Sequence, residues 1–254
     1  MTFIPQKDFY LAVRQGLVPG HSLVHKFGRN DAVPNGTWAF VTLIGHTSWP
    51  ISSPVTAKIA VGGNAADDAA GAGAREITVQ GIDSNLDEIS EAIVAAGASG
   101  SSSTAASWWR IHRAWVSAVG TYGANNVGDI IVKIGPTAGD LIKIAAGEGQ
   151  SQFTGFSIPE GKTGYLLSVN ATVDAGKGAD LRLFTRENYN NTTAPMSAAR
   201  LKKYWDGVIG AIPPYRPVSP DVIMPELTDV WMEARGDGAS TEVSADMEIL
   251  LVDD

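Results

Sequence analysis

Arg75-Glu-Ile-Thr-Val-Gln-Gly-Ile-Asp-Ser-Asn-Leu-Asp-Glu-Ile-Ser-Glu-Ala-Ile-Val-Ala-Ala-Gly97 decides how the rest of the chain is read. Ile77 and Val79 alternate with Thr78 and Gln80, the two-residue period of a strand with one buried face. Gly81, Asp83, Ser84 and Asn85 supply turn chemistry, and the apolar run resumes through Ile89, Ile93 and Val94. This pattern predicts a β-hairpin or a sandwich corner. After a Gly/Ser/Thr loop over 97–104 comes Trp108-Trp-Arg-Ile-His-Arg-Ala-Trp115, which holds three of the chain's seven tryptophans. Strand alternation puts Trp109, Ile111 and Trp115 on one face and Trp108, Arg110 and His112 on the other. The segment is expected to anchor the core of an all-β domain.

The composition agrees. The 254 residues suffice for one large or two small domains, and either can bury a core. Hydrophobic residues make up 44%, as in a globular chain, while charged residues at 18% fall below the usual share of about a quarter. Gly, Ala, Ser and Thr fill the difference, which suits turn-rich β architecture. The net charge of -8 favours solubility and argues against a nucleic-acid surface, because phosphate binding needs clustered Lys and Arg. The densest basic group, Arg200 with Lys202 and Lys203, is followed by Asp206. The absence of cysteine excludes disulfides, thiolate nucleophiles and Cys-ligated zinc. No charged-then-apolar leader opens the chain and no apolar run nears the ~20 residues of a membrane helix. A soluble protein made in a cytoplasm is therefore expected.

Along the chain, residues 1–24 read as an arm. It holds a short helix over 8–15 in which Phe9 and Val13 lie four apart and Gly16 is the stop. Residues 25–137 read as a first β-sandwich domain and 138–254 as a second, both jelly-roll-like in their Gly/Asn/Asp/Pro punctuation. Candidate strands are 22–27, 37–44, 55–61, 76–82, 88–95, 108–118 and 130–134, then 141–144, 152–157, 163–173, 180–185, 208–212, 229–235 and 242–252. Interleaving of both halves in one larger sandwich is the alternative. Val243, Ala245, Met247, Ile249 and Leu251 alternate without a break, so the last strand is expected to be central. Residues 174–178 and 236–238 read as hairpin turns, 195–207 as a helix capped by Ser197 and ended by Gly207, and 62–74 as a surface loop. The proline-rich run 213–225 is excluded from any central strand and reads as a long loop suited to contacts.

Chemistry is sparse. His21 and His25 lie four apart, but a zinc site needs a third and usually a fourth ligand, and His46 and His112 sit in unrelated contexts. Asp67 and Asp68 with Asn64 lack the spacing of a calcium loop and read as an exposed acidic loop. Asp87 with Glu88, and Glu226 with Asp229, are paired carboxylates without further catalytic context, and no nucleophile elbow, phosphate loop or zinc-protease motif occurs. No catalytic, cofactor or metal residues are expected. Arg235-Gly-Asp237 reads as a turn. Trp38, Trp49, Trp205, Trp231, Tyr189, Tyr204 and Tyr215 read as core and interface residues; a glycan-binding reading requires several of these rings on one exposed face.

The segment Ile77-Thr-Val-Gln-Gly-Ile-Asp-Ser-Asn-Leu-Asp-Glu-Ile-Ser-Glu91, the Gly/Ser loop and Trp109-Arg-Ile-His-Arg-Ala-Trp-Val116 resemble a pattern found in structural proteins of marine tailed bacteriophages. His25-Lys-Phe-Gly-Arg-Asn30, Pro159-Glu-Gly-Lys-Thr-Gly-Tyr165, Glu226-Leu-Thr-Asp-Val-Trp231 and Val243-Ser-Ala245 extend it over most of the chain. The resemblance implies a non-enzymatic virion component assembled in the host cytoplasm. Size, acidity and the arm point within that class to a capsid decoration or cement protein on the head shell. It is expected to be a homo-oligomer, a trimer in the simplest case, with the major capsid protein or other virion proteins as partners and neither nucleic acid nor membrane. On the premise that arm and loops face partners, the contact residues are Phe3, Phe9, Val13, Trp49 and Tyr215. The alternatives are a tail-associated fibre, spike or adaptor that contacts the host surface and, third, a carbohydrate-binding module.

Overall fold

A computed structural model describes residues 8–43, 49, 51–135, 138–217 and 222–254. Phe3 and His46 lie outside the described residues. Asp8 opens the expected helix, α1 (Phe9–Arg14): its carboxylate accepts from the Tyr10 and Leu11 N–H groups, two donors that a first turn leaves orphaned. Gly16, at φ +68°, follows the end of the helix. Ala12 and Val13 are buried on the side of α1 that packs on β1 (His21–Val33). The arm is therefore shorter than expected, because the sheet already begins at His21.

The chain is all-β and folds as two β-sandwiches. In the first, β1 pairs along its length with the last strand, β15 (Thr241–Asp253), so the first and last strands share one sheet. That sheet runs β1-β15-β10 (Lys162–Val173)-β13 (Ile223–Met224). The facing sheet runs β12 (Arg200–Ile209)-β11 (Gly178–Arg186)-β14 (Asp229–Gly236)-β2 (Ala39–Phe40), with β9 (Phe156–Ser157) also paired to β14. Val169, Leu181, Leu183, Met232, Met247 and Ile249 fill the space between them. Every second residue of β15 from Val243 to Leu251 is buried, and the strand is central, as its alternation predicts.

The second sandwich has two three-stranded sheets. One is β3 (Ala57–Ile59)-β7 (Ile130–Ile134)-β8 (Ala138–Ile144), the other β5 (Glu88–Val94)-β4 (Ala74–Asp83)-β6 (Trp108–Val119). Ile59, Ile77, Val79, Trp108, Val132 and Ile144 are in its core. The stretch 75–97 is indeed a hairpin, β4–β5, whose turn is held by Asp83 Oδ1 accepting from the Asn85 and Asp87 N–H groups.

The expected division at 137/138 is corrected. It falls inside the β7–β8 hairpin, where Val132 pairs with Ile142 and Lys133 with Asp140. The core of the second sandwich comes from residues 49–153, inserted between β2 and β9 of the first. Three local readings also change. Residues 195–207 are not a helix: most of them form the edge strand β12, whose Trp205 and Val208 pack on the first core, and that burial overrides local preference. The segments 174–178 and 236–238 are not hairpin turns but arches from one sheet to the other, tied together by Asp237 N–H to Gly178 O and Gly178 N–H to Asp237 Oδ1. In β6 the core residues are Trp108, Ile111 and Ala114, three apart, because irregularities in its pairing with β4 at Gln80/Gly81 and Ile82/Asp83 shift the phase. Trp109 and Trp115 are left half-buried.

The two crossings between the sandwiches run side by side: Leu43 N–H donates to Gln152 O and Thr154 N–H to Val41 O. They pass over Gly28 in the middle of β1, where a Cβ would lie 2.3 Å from Val41 O and 2.7 Å from Thr154 N. Backbone on both sides leaves no flexible atom to yield. Gly28→Ala is therefore expected to destabilise the protein by ~1–3 kcal/mol in urea unfolding, the usual cost of overpacking.

Candidate functional site

Arg110 reaches from β6, beside Trp49 of the second core, to β14 of the first sandwich. Its Nε and Nη2 donate to Asp229 Oδ1 and Oδ2 on β14 at 3.0 and 2.9 Å, a bidentate pair. Nη1 donates to the carbonyls of Ile51 and Trp109 at 3.1 and 2.6 Å. Both side chains of the pair are 0% exposed. Ser157 Oγ donates to Asp229 Oδ1 at 2.7 Å, and Arg186 donates to Oδ2. The guanidinium carbon lies 5.0 Å from the Trp49 ring and 4.9 Å from the Tyr189 ring. Burial, then the charge of Asp229, pushes the Tyr189 phenol well above its ordinary value, so it remains neutral.

Two residues further along β6, a cleft of about 250 Å³ opens between the sandwiches, lined among others by Lys26, Gln80, Glu88, His112, Arg113 and Phe156. Lys26 on β1 is 4% exposed, and its ammonium donates to the His112 carbonyl. Arg113 Nη2 answers by donating to the His25 carbonyl at 2.7 Å. The His112 ring is fully buried and stacks on Phe156 at 4.6 Å. Its Nε2 faces Glu88 Oε1 at 3.5 Å, longer than a well-formed hydrogen bond. Burial lowers the Lys26 amine well below its ordinary range, and the charge of Arg113 adds to this. Burial also lowers His112, with Glu88 acting the other way. For Glu88 burial acts upward, but His112, Lys162 and Arg113 outweigh it and the carboxyl sits below its ordinary value.

The expected contact residues separate. Phe9 is 45% exposed on α1, beside Tyr10 and Leu11. Val13 is buried under the helix, Trp49 is buried near Arg110 and Phe153, and Tyr215 is half-buried against Trp205 and the first core. Val13 and Trp49 are thereby corrected from contact residues to packing residues, while Tyr215 keeps part of its ring exposed. Asp67 is likewise not an exposed loop carboxylate: it is buried and accepts from the Ala74, Val127 and Gly128 N–H groups, which ties 67–74 to 127–128. Arg235 pairs with Asp180, and Asp237 holds Gly178, so Arg235-Gly-Asp237 is engaged within the fold. No group of three or more His, Cys, Asp or Glu able to hold a metal ion occurs among the described residues.

Sequence reasoning missed one assembly of rings. On the outer face of the sheet containing β11 and β14, Trp38 meets Tyr204 at 5.9 Å, and Phe184 stacks on Trp231 at 5.5 Å. Arg182 lies 3.9 Å over Trp38 and 4.8 Å over Phe184, and pairs with Glu233. Alternation along β11 and β14 would have shown that Arg182, Phe184, Trp231 and Glu233 point outward, but not that Trp38 folds onto them.

No protein-family model matches the chain, and no curated protein matches it. Among solved structures, a likeness to T=1 particles derived from infectious bursal virus covers 91% of this chain and 69% of that one, at 9% identity and a TM-score of 0.17. That likeness carries no argument about fold or function.

Two outcomes follow from the junction. Asp229→Asn leaves the Arg110 guanidinium buried without its counter-charge and is expected to cost about 3–5 kcal/mol in urea unfolding, whereas pairing it with Arg110→Met recovers much of the loss in a double-mutant cycle. For His112 the folded value lies below the ordinary 6.5, so below that value the unfolded chain binds the extra proton and stability falls as pH drops. Glu88 acts in the same direction lower down, its contribution being lost as pH falls through its depressed value. Unfolding curves taken between about pH 7.5 and about pH 5.5 are expected to show this loss, and His112→Phe to flatten it.

Proposed function

We propose that this protein is a non-enzymatic structural component of a tailed-phage particle, a decoration or cement protein that binds the head shell as a homo-oligomer, with a trimer the simplest arrangement. The observation that carries the reading is the arm. Phe9, Tyr10, Leu11 and Leu17 are 45%, 45%, 53% and 54% exposed, four large apolar side chains on one short segment. Val13 and the Arg14–Glu248 pair at 3.3 Å hold that segment against the first sandwich. Apolar groups concentrated this way on a seated element are suited to burial against another protein. Two sandwiches joined through a buried ion pair make a body suited to transmitting load, and the sequence resemblance to virion proteins supports the same role.

A second reading, carbohydrate binding, is favoured by the ring assembly of Trp38, Tyr204, Phe184 and Trp231 with Arg182 and Glu233. Trp38, Tyr204 and Phe184 are part-exposed there and offer π-surfaces and fixed hydrogen-bonding groups to a sugar, while Trp231 is buried against Phe184.

Electron microscopy of purified particles with a labelled antibody, with copies counted per virion, tests the first reading. Label spread over the head in high copy number is expected; a few copies at one vertex or along the tail would overturn the cement role in favour of a host-contacting one. Phe9→Ser with Leu11→Ser is expected to weaken particle binding roughly ten-fold or more while leaving the unfolding midpoint unchanged, because both side chains are solvent-facing. Binding on a glycan array that disappears with Trp38→Ala would instead support the carbohydrate reading.

A further inference from the structure

The cleft between the sandwiches holds more donors than acceptors. The Lys26 ammonium has three N–H groups, yet among the described residues its one hydrogen bond is to the His112 carbonyl and it enters no ion pair, although the Glu88 charge reaches it. The fully buried His112 ring has no hydrogen-bond partner at Nδ1 or Nε2 among the described residues. Arg113, half-buried on the same wall, donates from Nη2 to His25 O. Facing these from the neighbouring strands are His25 on β1, Gln80 on β4, and Glu88 on β5, whose carboxyl also feels Lys162 of β10. In a chain of net charge -8, this one cleft gathers Lys26, Arg113 and the influence of Lys162 against a single carboxylate.

Buried donors left without acceptors are costly, and a buried ammonium beside a guanidinium more so. Water can supply acceptors, and the Glu88 carboxylate offsets part of the repulsion between Lys26 and Arg113, but one carboxylate faces two cations. A small anion supplies acceptors and offsets the rest. The volume of about 250 Å³ takes such a group together with several waters. We propose that this cleft is a binding site for a small oxyanion of the phosphate class, held by Lys26 and Arg113 with the His112 ring as a further donor. Lys26 belongs to the first sandwich and His112 and Arg113 to the second, so the anion bridges the two and stabilises their docking. The inference is independent of the particle role.

The lowered amine gives the site a distinctive signature. An anion favours the charged form of Lys26, against the burial that lowers its amine, so binding weakens as pH rises. Isothermal titration calorimetry of the full chain with inorganic phosphate at low ionic strength, repeated at a second, higher pH, reads both binding and its pH dependence. One saturable site per chain, weaker at the higher pH, is expected. Lys26→Met and Arg113→Gln should each weaken it roughly ten-fold or more, the usual worth of a hydrogen bond to a charged group. Arg113 is only half-buried, so Arg113→Gln tests the site even where Lys26→Met perturbs the fold. Arg200→Gln, on the distant edge strand, should leave it unchanged. Absence of saturable heat, binding that survives both cleft substitutions, or an equal effect from chloride at matched ionic strength would overturn the proposal and leave the cleft to water.

Discussion

The bidentate contact between Arg110 and Asp229 is the constraint on which the rest of the structure depends. It spans 119 residues of sequence and joins the inserted sandwich to the one that holds the first and last strands. Nothing about the pair is inexpensive: two ions leave water, and the gain from their attraction is offset by that desolvation unless every donor and acceptor is satisfied. Here the satisfaction is thorough. Asp229 receives Arg110, Arg186 and Ser157, while Arg110 also reaches two backbone carbonyls and lies between two aromatic rings.

That pair explains why β6 has no solvent face in its middle. Trp108, Ile111 and Ala114 fill the second core, while Arg110 and His112 are buried against the first sandwich. A strand buried on both sides needs somewhere for its polar residues to go, and the strands β1, β9 and β14 provide it through Lys26, Phe156, Ser157 and Asp229. Gly28 plays the matching part on β1, since only a residue without Cβ lets the two crossings pass so close.

The sequence was legible wherever one face of a strand is buried and the other wet. β15 and β7 follow their alternation closely, β10 does so on either side of its bulge at Leu166/Ser168 and β4 does so through Ile77 and Val79, and Asp8 with Gly16 marks α1. It was not legible where burial comes from another part of the chain. Trp49 and Tyr215 read as contact aromatics because they sit in loops, yet long-range packing buries Trp49 and half-buries Tyr215. The insertion itself carries no compositional boundary, since both sandwiches use the same Gly- and Pro-punctuated strands, and only the pairing of His21–Val33 with Thr241–Asp253 reveals it. For the junction, the local signal was an arginine and a histidine set in the densest tryptophan stretch, but Asp229 and Lys26 lie too far away in sequence to be matched with them.

A buried polar junction also bears on how the two sandwiches stay in one orientation. An interface of the same size built from Leu and Val gains free energy in many slightly different placements, because dispersion and desolvation have little directionality. A bidentate guanidinium–carboxylate contact tolerates almost none of them: a shift of an ångström or so leaves ions buried and unpaired, at a cost of several kcal/mol. The Arg113–His25 and Lys26–His112 contacts act at a second point on the same seam, away from Asp229. Two separated directional contacts resist rotation as well as sliding, which one contact alone does not. Such fixed orientation is a physical reason to retain charges where apolar residues would pack at lower cost.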